Sequence, residues 1–214
     1  NLAADFLKGE GCKNVEVIPH GCELPEKAPL LPTQFRVGYL GQVGPDKGTS
    51  YLIQAWEKLN YQDSTLILAG SGTERLHNYI AQNTNGGKYQ LWGFVERAWQ
   101  LYEACSVYVQ PSVVESFGIE ILEAMAHGRP VIASQGAGAS ELIEDGVTGF
   151  IVPIRDPEAI AEKIDWFKNN QGKIPGMGLK ARQRAEQFTW EEIKREYKQV
   201  WMFMQKGKAS ETTL

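Results

Sequence analysis

Cysteine and histidine are scarce in this chain, with three of each among 214 residues. Cys12, Cys22 and Cys105 are odd in number and form no CxxC pair. That excludes a disulfide framework and a structural zinc site, and it fits a reducing compartment. His20, His77 and His127 have no carboxylate or thiol neighbours at metal-ligand spacing, so no metal is expected. No cysteine stands beside a histidine as a nucleophile pair would, and nothing resembles a Ser-His-Asp triad. A basic excess is missing too. Twenty-two Lys and Arg against 26 Asp and Glu leave a net charge of −4, which argues against a nucleic-acid partner. No apolar run approaches the roughly 20 residues of a membrane span, and no signal peptide is visible. The chain opens on Asn1 rather than Met and reads as a piece of a longer protein.

What is present is an ordinary globular composition, 43% hydrophobic and 22% charged. From residue 35 onward, short β-rich runs alternate with helical segments. Strands are expected at 35–40, 65–69, 90–92, 107–110, 130–133 and 150–152, each bounded by Gly, Pro or Ser. Several are apolar throughout, as strands covered on both faces of a parallel sheet are. Helices are expected at 51–59, at 119–127 before a left-handed Gly128, and at 159–167 after the Asp156-Pro157 cap. Thr189-Trp190-Glu191-Glu192 reads as a capping box for a last helix. The fold class is α/β, a Rossmann-like doubly wound parallel sheet with helices on both faces.

Three units follow from this pattern. Residues 1–34 hold one β-like run at 15–19 and then Pro25, Pro29 and Pro32, and read as a connector. Residues 35–188 form the α/β domain. Residues 189–214 form a last helix and a polar tail from Lys206. The helix carries Ile193, Tyr197, Val200, Trp201 and Met204 along one stripe, which packs either on the domain's own core or on something outside this chain.

Four loops follow strands and converge on one sheet edge. Glu115-Ser-Phe-Gly-Ile-Glu-Ile-Leu-Glu123 places two carboxylates eight residues apart, with Gly118 between them where a loop becomes an apolar helix. A helix opening in this way offers backbone N–H groups to an anion, and the carboxylates can accept from hydroxyl groups. Those are the needs of a sugar joined to a nucleotide diphosphate. The Gly41–Gly48 loop adds Lys47 as a point charge for phosphate, though it lacks P-loop spacing. The Gly70-Ser71-Gly72 and Gly136–Ser140 loops are individually weak. Read alone, each of these is as well explained as a plain turn, and Glu123 as a solvated helix residue. A buried Glu123 needs a partner, from the protein or from a ligand.

The segment 115–123, with Val109-Gln110-Pro111-Ser112 before it and Ala124-Met125-Ala126-His127-Gly128-Arg129-Pro130 after it, resembles the E-x7-E motif of retaining GT-B glycosyltransferases of the GT4 type. Val17-Ile18-Pro19-His20-Gly21 resembles the family's hinge, and 38–48 its donor-phosphate loop. Residues 68–72, 91–95 and 141–150 also match in order and spacing. The likeness runs from about residue 14 to 205. It implies the C-terminal, donor-binding lobe of a two-lobed enzyme whose N-terminal lobe, with the acceptor, lies outside this chain. By the resemblance, Glu123 holds the ribose hydroxyls and Glu115 the transferred sugar. Phe117, Gly118 and Ile119 offer N–H groups, Gly41, Gln42 and Gly72 line the donor, and Trp92 and Phe94 flank the base. Lys47 and Glu115 are the catalytic pair, with Lys47 neutralising the diphosphate in a metal-independent site.

The function this implies is retaining transfer of a hexose from a UDP- or GDP-type donor to a sugar or glycolipid acceptor. No cofactor is implied, and the isolated piece is expected to be inactive. The location implied is cytoplasmic, with peripheral contact to the inner membrane face through the absent lobe. One departure stands out: Gln42 occupies the place where the family commonly has arginine, and it cannot supply the charged fork of that side chain. The alternative is therefore a non-catalytic sugar-nucleotide-binding or regulatory module of the same fold. A response-regulator-like domain is disfavoured, because no acidic pair ends the first strand.

Overall fold

The computed structural model describes residues 2–83 and 88–211, with side chains placed for 4–81 and 88–205. In chain order the elements are α1 (Leu2–Gly9), β1 (Arg36–Leu40), α2 (Thr49–Leu59), β2 (Thr65–Ala69), α3 (Leu76–Asn83), β3 (Tyr89–Gly93) and α4 (Trp99–Ala104). There follow β4 (Val107–Gln110), α5 (Ile119–Ala126), β5 (Val131–Ser134), β6 (Gly149–Val152), α6 (Pro157–Asn169), α7 (Ile174–Ala185) and α8 (Trp190–Glu211). The strands form one sheet in the order β3-β2-β1-β4-β5-β6, and every pairing is parallel. The strand order reverses between β1 and β4. That is the topological switch point, outside whose carboxyl ends ligands bind in open α/β sheets.

Alternation along the strands divides the core into two layers. Val37, Tyr39, Leu66, Leu68, Val107 and Val109 pack with Leu52 and Trp56 of α2 and Ile164 and Phe167 of α6. On the other face, Ile67, Ala69, Tyr108, Val131 and Ala133 pack with Leu101 and Tyr102 of α4, Ile121, Leu122 and Met125 of α5, and Ala181 of α7. Both faces of the sheet are covered, which explains the nearly uninterrupted apolar strands.

All six expected strands are present, with ends shifted by a residue or so. The β-like run at 15–19 is not a strand. It has no neighbouring strand to complete its ladder, and α1, which the sequence reading did not anticipate, precedes it. Beyond it the connector lies along the domain. Arg129 donates to the Leu30 carbonyl at 3.0 Å, and Arg182 to the Pro25 carbonyl at 2.6 Å. Asp156 caps α6 by accepting from the Ala159 N–H at 2.9 Å. Thr189 accepts from the Glu192 N–H at 3.3 Å, but the Glu192 side chain pairs with Arg195, so only half of the expected capping box forms. The expected polar tail is helical through Glu211, and its last residues, 212–214, lie outside the described residues.

Candidate functional site

The loops after β1 and β4 meet at the switch point. The Asp46 carbonyl accepts from the N–H groups of Val113 at 2.7 Å and Val114 at 3.2 Å, tying one loop to the other. Gly48 opens α2 with φ 67°, and Gly118 opens α5 with φ 86° and no side-chain cap. The first-turn N–H groups of α5 are therefore left toward the sheet edge, the arrangement that favours an anion.

Lys47 and Glu115, expected to meet the diphosphate and the transferred sugar of one ligand, form an ion pair with each other. Their side chains are 29% and 15% exposed, so the pair is partly shielded from water. Glu115 is fixed further by its backbone, which donates to the Gly136 carbonyl at 2.9 Å and accepts from the Gly138 N–H at 3.1 Å. The Gly136–Ser140 loop thus buttresses the site through backbone bonds. It leads into a short 3-10 turn at Gly138–Leu142. The Phe117 carbonyl accepts from the Ala139 N–H at 2.6 Å, and the Phe117 ring lies 4.9 Å from that of His20 in the connector.

Glu123 is half-buried on α5, and its Oε2 accepts from the Tyr102 hydroxyl at 2.8 Å. Burial pushes its carboxyl above the ordinary range, and the Tyr102 hydrogen bond pulls the other way. The sequence left open whether its partner would be protein or ligand. The protein supplies one partner and holds one oxygen. Tyr102 is fully buried, its rings set edge-on to Tyr108 at 5.6 Å, and burial raises its phenol far above the usual range.

Beneath the loops runs a buried polar network that sequence reading did not identify. The Tyr108 hydroxyl donates to Gln110 Oε1 at 2.5 Å, with the Leu40 carbonyl oxygen 3.2 Å away as the alternative acceptor of its one proton, and Gln110 donates to Ser112 Oγ at 2.8 Å. Ser134 donates to the Ser112 carbonyl. The Tyr39 hydroxyl donates to the Gln42 carbonyl at 3.1 Å, so the backbone of the departing residue is fixed while its side chain is exposed.

The remaining expected residues lie on the same edge but are less engaged. Gly41 donates its N–H to the Ala69 carbonyl at 3.0 Å, which spends that group inside the protein. Gly72 caps a short 3-10 turn after β2 with φ 89°. Trp92 is partly buried and donates to Gln90 at 3.3 Å, whereas Phe94 is 74% exposed. Among the described residues, no three His, Cys, Asp or Glu side chains gather as metal ligands, and no helix is long and apolar enough to cross a membrane.

Residues 23–203 match the family model "Glycosyl transferases group 1". The chain is 33% identical over 181 residues to the capsular polysaccharide biosynthesis glycosyltransferase CapM of Staphylococcus aureus, covering 78% of this chain and 47% of CapM. It is 28% identical over 208 residues to the D-inositol 3-phosphate glycosyltransferase of Nocardia farcinica, covering 86% and 46%. It spans about half the length of the curated relatives it matches. Among solved structures it is similar to Anabaena Alr3699/HepE in complex with UDP-glucose, with a TM-score of 0.72, 28% identity, and coverage of 79% and 49%. It also matches the sucrose-phosphate synthase of Thermosynechococcus elongatus, with a TM-score of 0.82, 26% identity, and coverage of 95% and 56%. With the Rossmann-like sheet, the switch-point site and a family match over most of its length, this chain belongs to the group 1 glycosyl transferases.

Proposed function

We propose that this chain is the donor-binding lobe of a retaining glycosyltransferase. It holds a UDP- or GDP-type sugar whose hexose passes to a sugar or glycolipid acceptor on an N-terminal lobe outside this chain. The observation that carries the reading is the meeting of Lys47, Glu115 and the uncapped start of α5 at one switch point. The similarity to HepE, solved with UDP-glucose, supports it.

In this reading, the bond from the sugar's anomeric carbon to the diphosphate breaks as negative charge builds on the leaving group. Lys47 and the first-turn N–H groups of α5 meet that charge in place of a metal. Glu115 accepts from sugar hydroxyls, and the free oxygen of Glu123 accepts from the ribose. Trp92 and Phe94 flank the base. Lys47 and Glu115 satisfy each other in the free chain, so donor entry parts them, and each then gains a ligand partner of the right polarity. We place the whole enzyme in the cytoplasm, with any membrane contact made through the absent lobe.

Calorimetry of this chain against UDP-, GDP- and ADP-glucose tests the reading, because the donor lobe should bind a sugar nucleotide unaided. Heat from none of them overturns it. The second reading, a sugar-nucleotide-binding module without transfer, is favoured by Gln42 alone. If the intact two-lobed protein binds a donor but neither transfers nor hydrolyses it, the module reading replaces the enzyme.

A further inference from the structure

One short segment, His127-Gly128-Arg129, grips both Glu123 and the tyrosine that anchors it. His127 is the C-cap of α5, and its Nδ1 lies 2.8 Å from the Glu123 carbonyl oxygen. A carbonyl oxygen only accepts, so Nδ1 carries the proton. Burial lowers the pKa of this half-buried ring below that of an ordinary histidine, and the bond to Glu123 opposes the shift without cancelling it. Near neutral pH the ring is therefore neutral, with Nδ1–H as its one donor. The same ring packs on Tyr102, with centroids 5.2 Å apart and planes tilted by 44°. Two residues on, the buried Arg129 side chain donates to the Tyr102 carbonyl at 2.6 Å.

A side chain that donates to the carbonyl four residues back is an ordinary way to close a helix. α6 ends in this way, where its C-cap Asn170 donates to the Trp166 carbonyl at 2.8 Å. His127 differs in what it touches. The carbonyl it caps belongs to Glu123, and its ring covers the phenol that donates to the Glu123 carboxylate at 2.8 Å. The Glu123 carbonyl also accepts from the His127 backbone N–H at 3.1 Å. Two bonds thus fix the main chain of this glutamate and a third fixes its side chain. A carboxylate anchored at both ends has less freedom left to lose when a ligand arrives.

We propose that His127 is a positioning residue for ribose recognition: its Nδ1–H, with its ring packed on Tyr102, sets the Glu123 carboxylate where it accepts from the ribose hydroxyls. The inference rests on the donor-site reading and on Glu123 as the residue that meets the ribose. His127 acts through Glu123 and is assigned no contact with the ligand.

The test is calorimetry of this chain with UDP, GDP and ADP, each set beside its 2′,3′-dideoxy form. The parent chain should bind one of these ribonucleotides at least about tenfold more tightly than the dideoxy form, since hydrogen bonds to a charged acceptor are at stake. His127→Leu removes both the donor and the ring. It should weaken that ribonucleotide about tenfold and leave the dideoxy form within about twofold. A merely structural loss weakens both forms alike, so the ratio of the two affinities separates positioning from folding. His127→Asn keeps an N–H donor within reach of the same carbonyl, as Asn170 has on α6, and should keep most of the preference. A preference unchanged in His127→Leu, or an equal weakening of both forms, overturns the inference and leaves the donor reading intact. So does a loss in His127→Asn as large as that in His127→Leu. A parent chain that binds both forms equally overturns it as well, because Glu123 then does not read the ribose. If none of the three ribonucleotides binds the parent chain, the donor reading itself fails and takes the inference with it.

Discussion

The Tyr102 hydroxyl holds Glu123 from inside the core, with a donor–acceptor distance of 2.8 Å. A phenol this deeply buried stays protonated, so it is always the donor, and it fixes one of the two carboxylate oxygens. Glu123→Ala should abolish sugar-nucleotide binding in calorimetry while the circular dichroism spectrum stays folded; unchanged affinity would make the carboxylate structural. Tyr102→Phe removes a hydrogen bond to a charged acceptor, worth about 1.5–3 kcal/mol, so affinity should fall roughly ten- to hundredfold. An unchanged dissociation constant would mean that Glu123 needs no anchor. At position 42 the change runs the other way. Gln42→Arg returns a forked cation to an exposed position whose backbone Tyr39 already fixes. In the intact protein it should raise turnover, and a rate no higher than that of the Gln42 protein would favour the module reading.

The elements that form the site are two loops that hold each other at close range. A side chain at Gly48 would place its Cβ 2.0 Å from the Pro111 carbonyl oxygen, at a φ of +67° that side chains rarely adopt. Gly48→Ala should therefore lower stability by about 2 kcal/mol or more and loosen the Asp46–Val113 tie, read as a drop in melting temperature with weakened donor binding. A melting curve unchanged from that of the parent chain would show that the loops can move apart freely. The strands bounding these loops were legible in the sequence because each is an apolar run cut by Gly, Pro or Ser. α7 was not, since Pro175, Gly176 and Gly178 interrupt its pattern. Gly178 is there for packing, as a Cβ would stand 2.1 Å from the Gly128 carbonyl oxygen. Glu115, Lys47 and Glu123 could be singled out by spacing and loop position. Tyr102 and the Asp46 carbonyl could not, because their roles arise only where α4, the two loops and α5 meet.

For the whole molecule, the decisive surface is α8. The stripe expected at Ile193, Tyr197, Val200, Trp201 and Met204 does not dock on the domain's own core as a unit. Ile193 is 1% exposed, but Tyr197, Trp201 and Met204 are 57%, 64% and 57% exposed. With Glu16 and Ile18 of the connector they line one open groove. Such an apolar strip is costly to leave in water. The family match runs to residue 203, and the chain spans about half of its relatives; in the proposed two-lobed protein, the lobe outside this chain would be the cover. On that proposal the helix divides into a segment that stabilises this domain, around Ile193, and an exposed segment that would stabilise a two-lobed protein. Ile193→Ala should destabilise this chain by about 2–4 kcal/mol in denaturant unfolding. Tyr197→Ser with Trp201→Ser should change it by less than about 0.5 kcal/mol per site. In the intact protein the same double variant should lower the melting temperature and raise amide exchange along α8. Equal exchange in parent and variant would show that the stripe stays uncovered there too.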